Sequence, residues 1–184
     1  MTETRSPVSH KVQVSHLPKK GVRLHVEATE RQRAELAKNH GLLSVEAFST
    51  ELLVAPWRGD GVKVTGTLSA DVTQQCVVTL EPVPARVETE VEGIFVPEGS
   101  KLARIPDGEH GEIVVHADSP DIPETFAGNA IDAGALAEEF FELALDPYPR
   151  KPGVAFDQPG GEDIERTSPF AGLSALKGGQ DSGE

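Results

Sequence analysis

Val62, Val64, Leu68, Ala70, Val72, Cys76, Val78 and Leu80 all fall on even positions, with mostly polar residues at the odd ones. A period of two places alternate side chains on opposite faces of a strand, so this run must lie in a sheet with one buried and one wet face. Nineteen residues at about 3.3 Å each would span roughly 60 Å, far beyond a usual strand. The run is therefore expected to bend or break, either at Gly66, which reads as a bulge, or between Asp71 and Gln74. Glu81-Pro82-Val83-Pro84 then turns the chain, and Val87, Val91 and Phe95 alternate with Arg86, Glu88, Glu90 and Glu92. This second run reads as the return strand of a long, bent central hairpin with three glutamates on its outer face.

The remaining elements fit around that hairpin. Val12, Val14 and then Val22, Leu24, Val26 flank the turn residues Pro18 to Gly21, predicting a first pair of strands. Thr29 followed by Gln32 is a capping-box pattern for a helix to about His40, stopped by Gly41 and packing through Ala34, Leu36 and Ala37. Val45 to Trp57 reads as a third strand before the Gly59-Asp60-Gly61 turn, and Trp57 as packing at the edge of the core. Residues 97–111 read as a loop rich in Pro, Gly and charge. Asp132 can cap a helix over 133–145, with Leu136, Ala137, Phe140, Phe141, Leu143 and Ala144 opposite Glu138, Glu139 and Glu142, and Pro147 ends it. With 18 Gly and 14 Pro, strands should outnumber helices. The predicted class is α+β, mainly an antiparallel sheet with the bent hairpin at its centre, two principal helices and a short C-terminal helix.

The expected organisation is a flexible N-terminus over 1–7, one domain over 8–150, a linker over 151–167, a short amphipathic helix over 168–177 and a disordered tail over 178–184. In the helical piece Ser168 is the cap, Pro169 the first helical residue, Phe170, Leu173 and Leu176 one face, and Gly178 the stop. So short a helix is not stable alone and needs a groove to lie in.

Net charge is −13, and it is regional: residues 81–146 hold sixteen acids and three bases, a local −13, while the flanks cancel at +2 and −2. Such a surface repels phosphate backbones and attracts basic partners, although a solubilising face has the same composition. The N-terminus lacks a signal-like apolar run and nothing approaches a membrane span, so a soluble, cytoplasmic protein is expected. One cysteine excludes an internal disulfide and a multi-cysteine zinc site.

No P-loop, GxGxxG, HExxH or GxSxG pattern occurs, so no catalytic residue, cofactor or metal ligand is assigned. His10, His16, His25, His40, His110 and His116 lie far apart in sequence, without carboxylates or cysteines at metal spacing. Cys76 shares the register of Val72 and Val78 and reads as a buried structural thiol, since neither a cation nor a helix N-terminus adjoins it in sequence.

Three segments, VTGTLSADVTQQCVVTLEPV at 64–83, IDAGALAEEFFELALDPYPRKPG at 131–153 and SPFAGLSALK at 168–177, together resemble the YceD family, in the form found in α-proteobacteria. The resemblance extends over about residues 8–177, and Pro169 to Lys177 is its most specific part. It implies a non-catalytic role in accumulation of large-subunit ribosomal RNA and in ribosome biogenesis. Relatives carry Cys-x-x-Cys at the hairpin, whereas Thr79 holds the second position here, so no metal or redox role carries over. The expected partner is a basic ribosomal protein or a large-subunit assembly intermediate. Its candidate contacts are Glu88, Glu90, Glu92, Pro169, Phe170, Ala171, Leu173, Leu176 and Lys177. The alternative is direct binding of precursor ribosomal RNA through Lys11, Lys19, Lys20, Arg23, Arg31 and Arg33. Oligomeric state is left open.

Overall fold

The computed structural model describes residues 5–103 and 123–154. The chain divides into two compact units, Met1–Pro152 and Gly153–Glu184, and the fold below is that of the first. The predicted helix at Ser168 to Lys177 lies outside the described residues.

The elements are β1 (Lys11–Gln13), β2 (Val22–Glu27), α1 (Glu30–Asn39), β3 (Ser44–Trp57), β4 (Gly61–Gln75), β5 (Pro82–Pro97), a 3-10 turn (Lys101–Ala103), β6 (Glu124–Phe126), β7 (Ala130–Asp132) and α2 (Ala133–Ala144). A five-stranded sheet runs β2-β3-β4-β5-β6, antiparallel except for the β5–β6 pair. β1 and β7 form a separate antiparallel ribbon. The class is α+β with a mostly antiparallel sheet.

Two strand expectations are corrected. β1 and β2 do not form a hairpin: β1 pairs with β7, where Val12 faces Ile131, and β2 pairs with β3. Val12 of β1 is apolar and buried, but its partner Ile131 lies more than a hundred residues away in sequence, which local turn chemistry does not reveal. Gly66 is not a bulge either, because Leu52, Gly66 and Val91 stand in continuous register across three strands. The irregularity sits on β3, where the pairing shifts between Val45 and Ala47. One extra residue, Glu46, exchanges the faces: Val45 is buried, and beyond it the buried positions are Phe48, Thr50, Leu52 and Val54. Thr50 meets the cost of its burial by donating its hydroxyl to the Thr67 carbonyl at 2.9 Å.

The inner face of the sheet is covered by both helices. α1 packs on β3, and α2 on β5 and β4. The capping box forms as expected, with Thr29 Oγ1 accepting from the Gln32 amide and Gln32 Oε1 accepting from the Thr29 amide. Leu36 and Ala37 are buried, while Ala34 is exposed. α2 is capped by Asp132, whose Oδ1 accepts from the Ala135 amide at 3.1 Å and the His10 amide at 2.7 Å, tying the helix to the start of β1. Leu136, Ala137 and Phe141 join the core, whereas Leu143, placed on the apolar face by its spacing, is 80% exposed. The helix ends at Ala144 as the backbone turns extended at Leu145, two residues before Pro147. Neither described helix is long and apolar enough to cross a membrane.

Candidate functional site: the open face of the sheet and the hairpin turn

Helices on one face leave the other to solvent, and the register shows what stands there. Three rows cross β2 to β5 in order: Arg23, Leu53, Thr65, Glu92; then His25, Glu51, Thr67, Glu90; then Glu27, Ser49, Ser69, Glu88. Asp71 faces Arg86 in the next row. With Lys63 beyond Thr65, this open face carries six acids against three bases. Glu88, Glu90 and Glu92 are all exposed, as their register predicts. A shallow polar depression lies beside them, lined by side chains that include Ser49, Glu51, Thr67, Ser69 and Glu90.

The three glutamates are not equivalent. Glu92 binds Lys63 Nζ at 2.6 Å, and Glu88 accepts from Arg86 Nε at 2.7 Å while the same guanidinium reaches Asp71. Glu90 makes no ion pair among the described residues. Exposed pairs of this kind contribute little to stability. The acidity of residues 81–146 is also divided, since Glu138, Glu139 and Glu142 lie on α2, the helix behind the sheet.

That second cluster includes a contact the sequence did not reveal. His40, at the end of α1, is nearly buried, with Nε2 3.0 Å from Glu138 and Nδ1 3.9 Å from Glu142. Ninety-eight positions separate His40 from Glu138, so spacing carries no hint of it. Burial and then the neighbouring Glu124, Glu138 and Glu142 push the Glu139 carboxyl upward. No group of three metal-ligating side chains occurs among the described residues.

The six basic residues of the RNA alternative do not converge. Lys11 is on the β1–β7 ribbon, Lys19 and Lys20 in the turn before β2, Arg23 on the open face, and Arg31 and Arg33 on α1, which packs behind the sheet. Arg31 pairs with Glu35 and Arg33 donates to the Ala28 carbonyl.

Cys76 is buried as expected but not on a strand. β4 ends at Gln75, and residues 76–81 form the hairpin turn, closed by the Cys76 amide donating to the Glu81 carbonyl at 2.8 Å. The period-two pattern therefore overshoots the strand: Leu80 has φ 62 and is 65% exposed. The segment after α2 folds onto this turn, with the Val77 amide donating to the Pro149 carbonyl and Lys151 Nζ bound to Glu81 at 2.8 Å. Cys76 thus has no accessible surface, yet it lies outside the main core cluster. The Thr79 hydroxyl, the Thr79 amide and then the amides of Lys151 and Val78 draw its thiol down from 9.0 to about 6. The Thr79 hydroxyl and the backbone donors of the turn and of Lys151 supply a lowering that the neighbours of Cys76 in sequence do not announce.

A depressed thiol pKa stabilises the folded state fully above the unfolded value near 9, and that contribution fades as pH falls through 6. The stability advantage of the wild type over Cys76→Ser is expected to grow between pH 6 and pH 9 and then level off, as read from urea unfolding at stepped pH. An advantage that stays constant across that range would show that Sγ titrates normally.

The fold and its open face define a two-layer α+β protein that offers an acid-lined, solvent-facing sheet. The matching family model is described as "Large ribosomal RNA subunit accumulation protein YceD" and covers residues 64–177, so the chain belongs to the YceD family. The match opens inside β4, later than the resemblance starting near residue 8. The earlier residues are still part of the same fold, since β3 supplies Phe48, Leu52 and Val54 to the shared core. No curated protein and no solved structure matches the chain.

Proposed function

We propose that this protein supports accumulation of large-subunit ribosomal RNA by holding a basic protein partner, a ribosomal protein or an assembly intermediate, on the open face of its sheet. The observation that carries the reading is the row Glu88, Glu90, Glu92, exposed together on β5 of a chain whose family is named for that RNA. A face of this sign steers a basic protein toward it and repels a bare phosphate backbone. Nothing in this role requires bond-making chemistry. The segment Pro169 to Lys177, with Phe170, Ala171, Leu173 and Leu176, serves as a second docking element in the same role.

The test is affinity purification of the full chain from lysate with and without RNase. Recovery of a basic ribosomal protein is expected to survive RNase and to fall about tenfold when Glu88, Glu90 and Glu92 are all changed to lysine. Loss of all ribosomal material on RNase treatment would favour direct RNA contact through Lys11, Lys19, Lys20 and their neighbours, and would overturn the protein-contact reading.

A further inference from the structure

β5 is sixteen residues long, yet β6 pairs only with Phe95, Val96 and Pro97. From Pro82 to Ile94 no strand lies on its other side among the described residues. Two observations fix which residues turn their backbone groups to that free side. Pro82 and Pro84 have no N–H and sit opposite Gln75 and Thr73 in the ladder, a place proline occupies without loss only where its nitrogen faces away from the paired strand. The Glu98 amide, of the same parity, donates outward to the Phe126 carbonyl of β6. Even-numbered residues of β5 therefore direct N–H and C=O away from β4. After the two prolines, the bondable edge is made by Arg86, Glu88, Glu90, Glu92 and Ile94, about 30 Å of strand.

Glu88, Glu90 and Glu92 also point their carboxylates onto the open face. A strand added here would set alternate residues with their Cβ atoms about 5 Å from those of the three glutamates and the others beside Val87, Thr89 and Val91. An acidic strand would meet like charge directly opposite, and so would β5 of a second copy laid against itself. The two prolines and the glutamates keep the edge from indiscriminate pairing, as edge strands require, without closing it to a strand of opposite charge.

We propose that the edge of β5 from Arg86 to Ile94, unpaired among the described residues, takes an extended segment of a basic protein as an added strand, its Lys or Arg side chains alternating onto Glu88, Glu90 and Glu92. This deepens the proposed function and rests on it, supplying the mode by which the basic partner is held.

The probe is a synthetic peptide alternating lysine and valine over the length of the edge, titrated into the full chain beside a glutamate–valine counterpart. The basic peptide is expected to bind, to slow hydrogen exchange at the Glu88, Glu90 and Glu92 amides, and to bind about tenfold more weakly after N-methylation of the alternate residues that face β5. N-methylation of the other alternate set should leave binding unchanged. Glu90→Pro, which removes an outward N–H together with the carboxylate, should weaken the peptide more than Glu90→Gln, which removes the carboxylate charge alone. Equal effects from both methylation patterns, unaltered amide exchange or absence of peptide binding would overturn the added strand. RNase-resistant recovery of a basic ribosomal protein alongside any of those results would leave the broader reading standing; its absence would remove that reading itself.

Discussion

Replacing Gly66 with alanine is expected to destabilise the fold by about 3 kcal/mol. Strand propensity alone argues the opposite sign, because glycine weakens a strand and alanine restores some of the loss. Geometry decides: a Cβ at Gly66 would be driven into the carbonyl of Glu51 and lie 2.9 Å from Cα of Leu52. Both are backbone atoms of the neighbouring strand in mid-ladder, so relief would require β3 and β4 to part where Leu52 and Leu68 are buried. Gly93→Ala supplies the comparison. There the nearest obstacle, at 2.9 Å, is the Cδ2 methyl of Leu136, the end of a flexible side chain that can move aside. Urea unfolding should place Gly66→Ala well below Gly93→Ala and the wild type. A Gly66→Ala midpoint at or above the wild-type value would show that β3 yields, and that the close approach is not what keeps glycine there.

Gly66 also shows how far the sequence can be read. An isolated glycine in a period-two run has two structural uses, a bulge or a close backbone approach, and choosing between them needs the partner strand. The bulge that does exist is at Glu46, in a strand whose mixed order of apolar and polar residues carries no clean period of two for a change of face to interrupt. Local signals are legible: the residues of the Thr29–Gln32 box and of the Asp132–Ala135 cap lie within one turn of helix. What depends on distant partners is not: the β1–β7 ribbon, the burial of His40 against α2, and the closure of the 76–81 turn by residues 149–151.

The open face stands between these cases. Alternation alone placed Glu88, Glu90 and Glu92 outward, since a period of two fixes the face once the apolar partners are known. That Glu92 and Glu88 would be paired with Lys63 and Arg86 while Glu90 stays unpaired among the described residues depended on register across β4. The thiol of Cys76 marks the limit from the other side. Its side-chain class predicted burial correctly, but its depressed pKa comes from hydroxyl and amide donors whose direction is set by the turn. Composition weighs side chains and leaves such backbone donors unseen.

Phe141→Ala is expected to cost about 3–5 kcal/mol, a large part of the roughly 5–15 kcal/mol that holds a domain of this kind. The ring has no accessible surface and meets two others edge-on, Phe48 of β3 at 5.5 Å and His40 at the end of α1 at 5.4 Å. Truncation therefore opens a cavity where both helices meet the sheet, and it removes packing from the ring of His40, which holds Glu138. Leu143→Ala, two residues along the same helix and 80% exposed, should change stability by no more than about 0.5 kcal/mol. Denaturant unfolding should show a lower midpoint for Phe141→Ala with an unchanged slope, because the native state stays compact. The two kinds of substitution then separate fold from function. Phe141→Ala lowers stability without altering the charge of the open face, so under conditions where it remains folded it should still recover the basic partner. Glu88→Lys, Glu90→Lys and Glu92→Lys together should leave the midpoint near wild type, since exposed ion pairs add little, and lower recovery about tenfold. A Phe141→Ala protein that is folded but no longer binds would mean that the helices behind the sheet, and not the acids on its open face, determine what the protein holds.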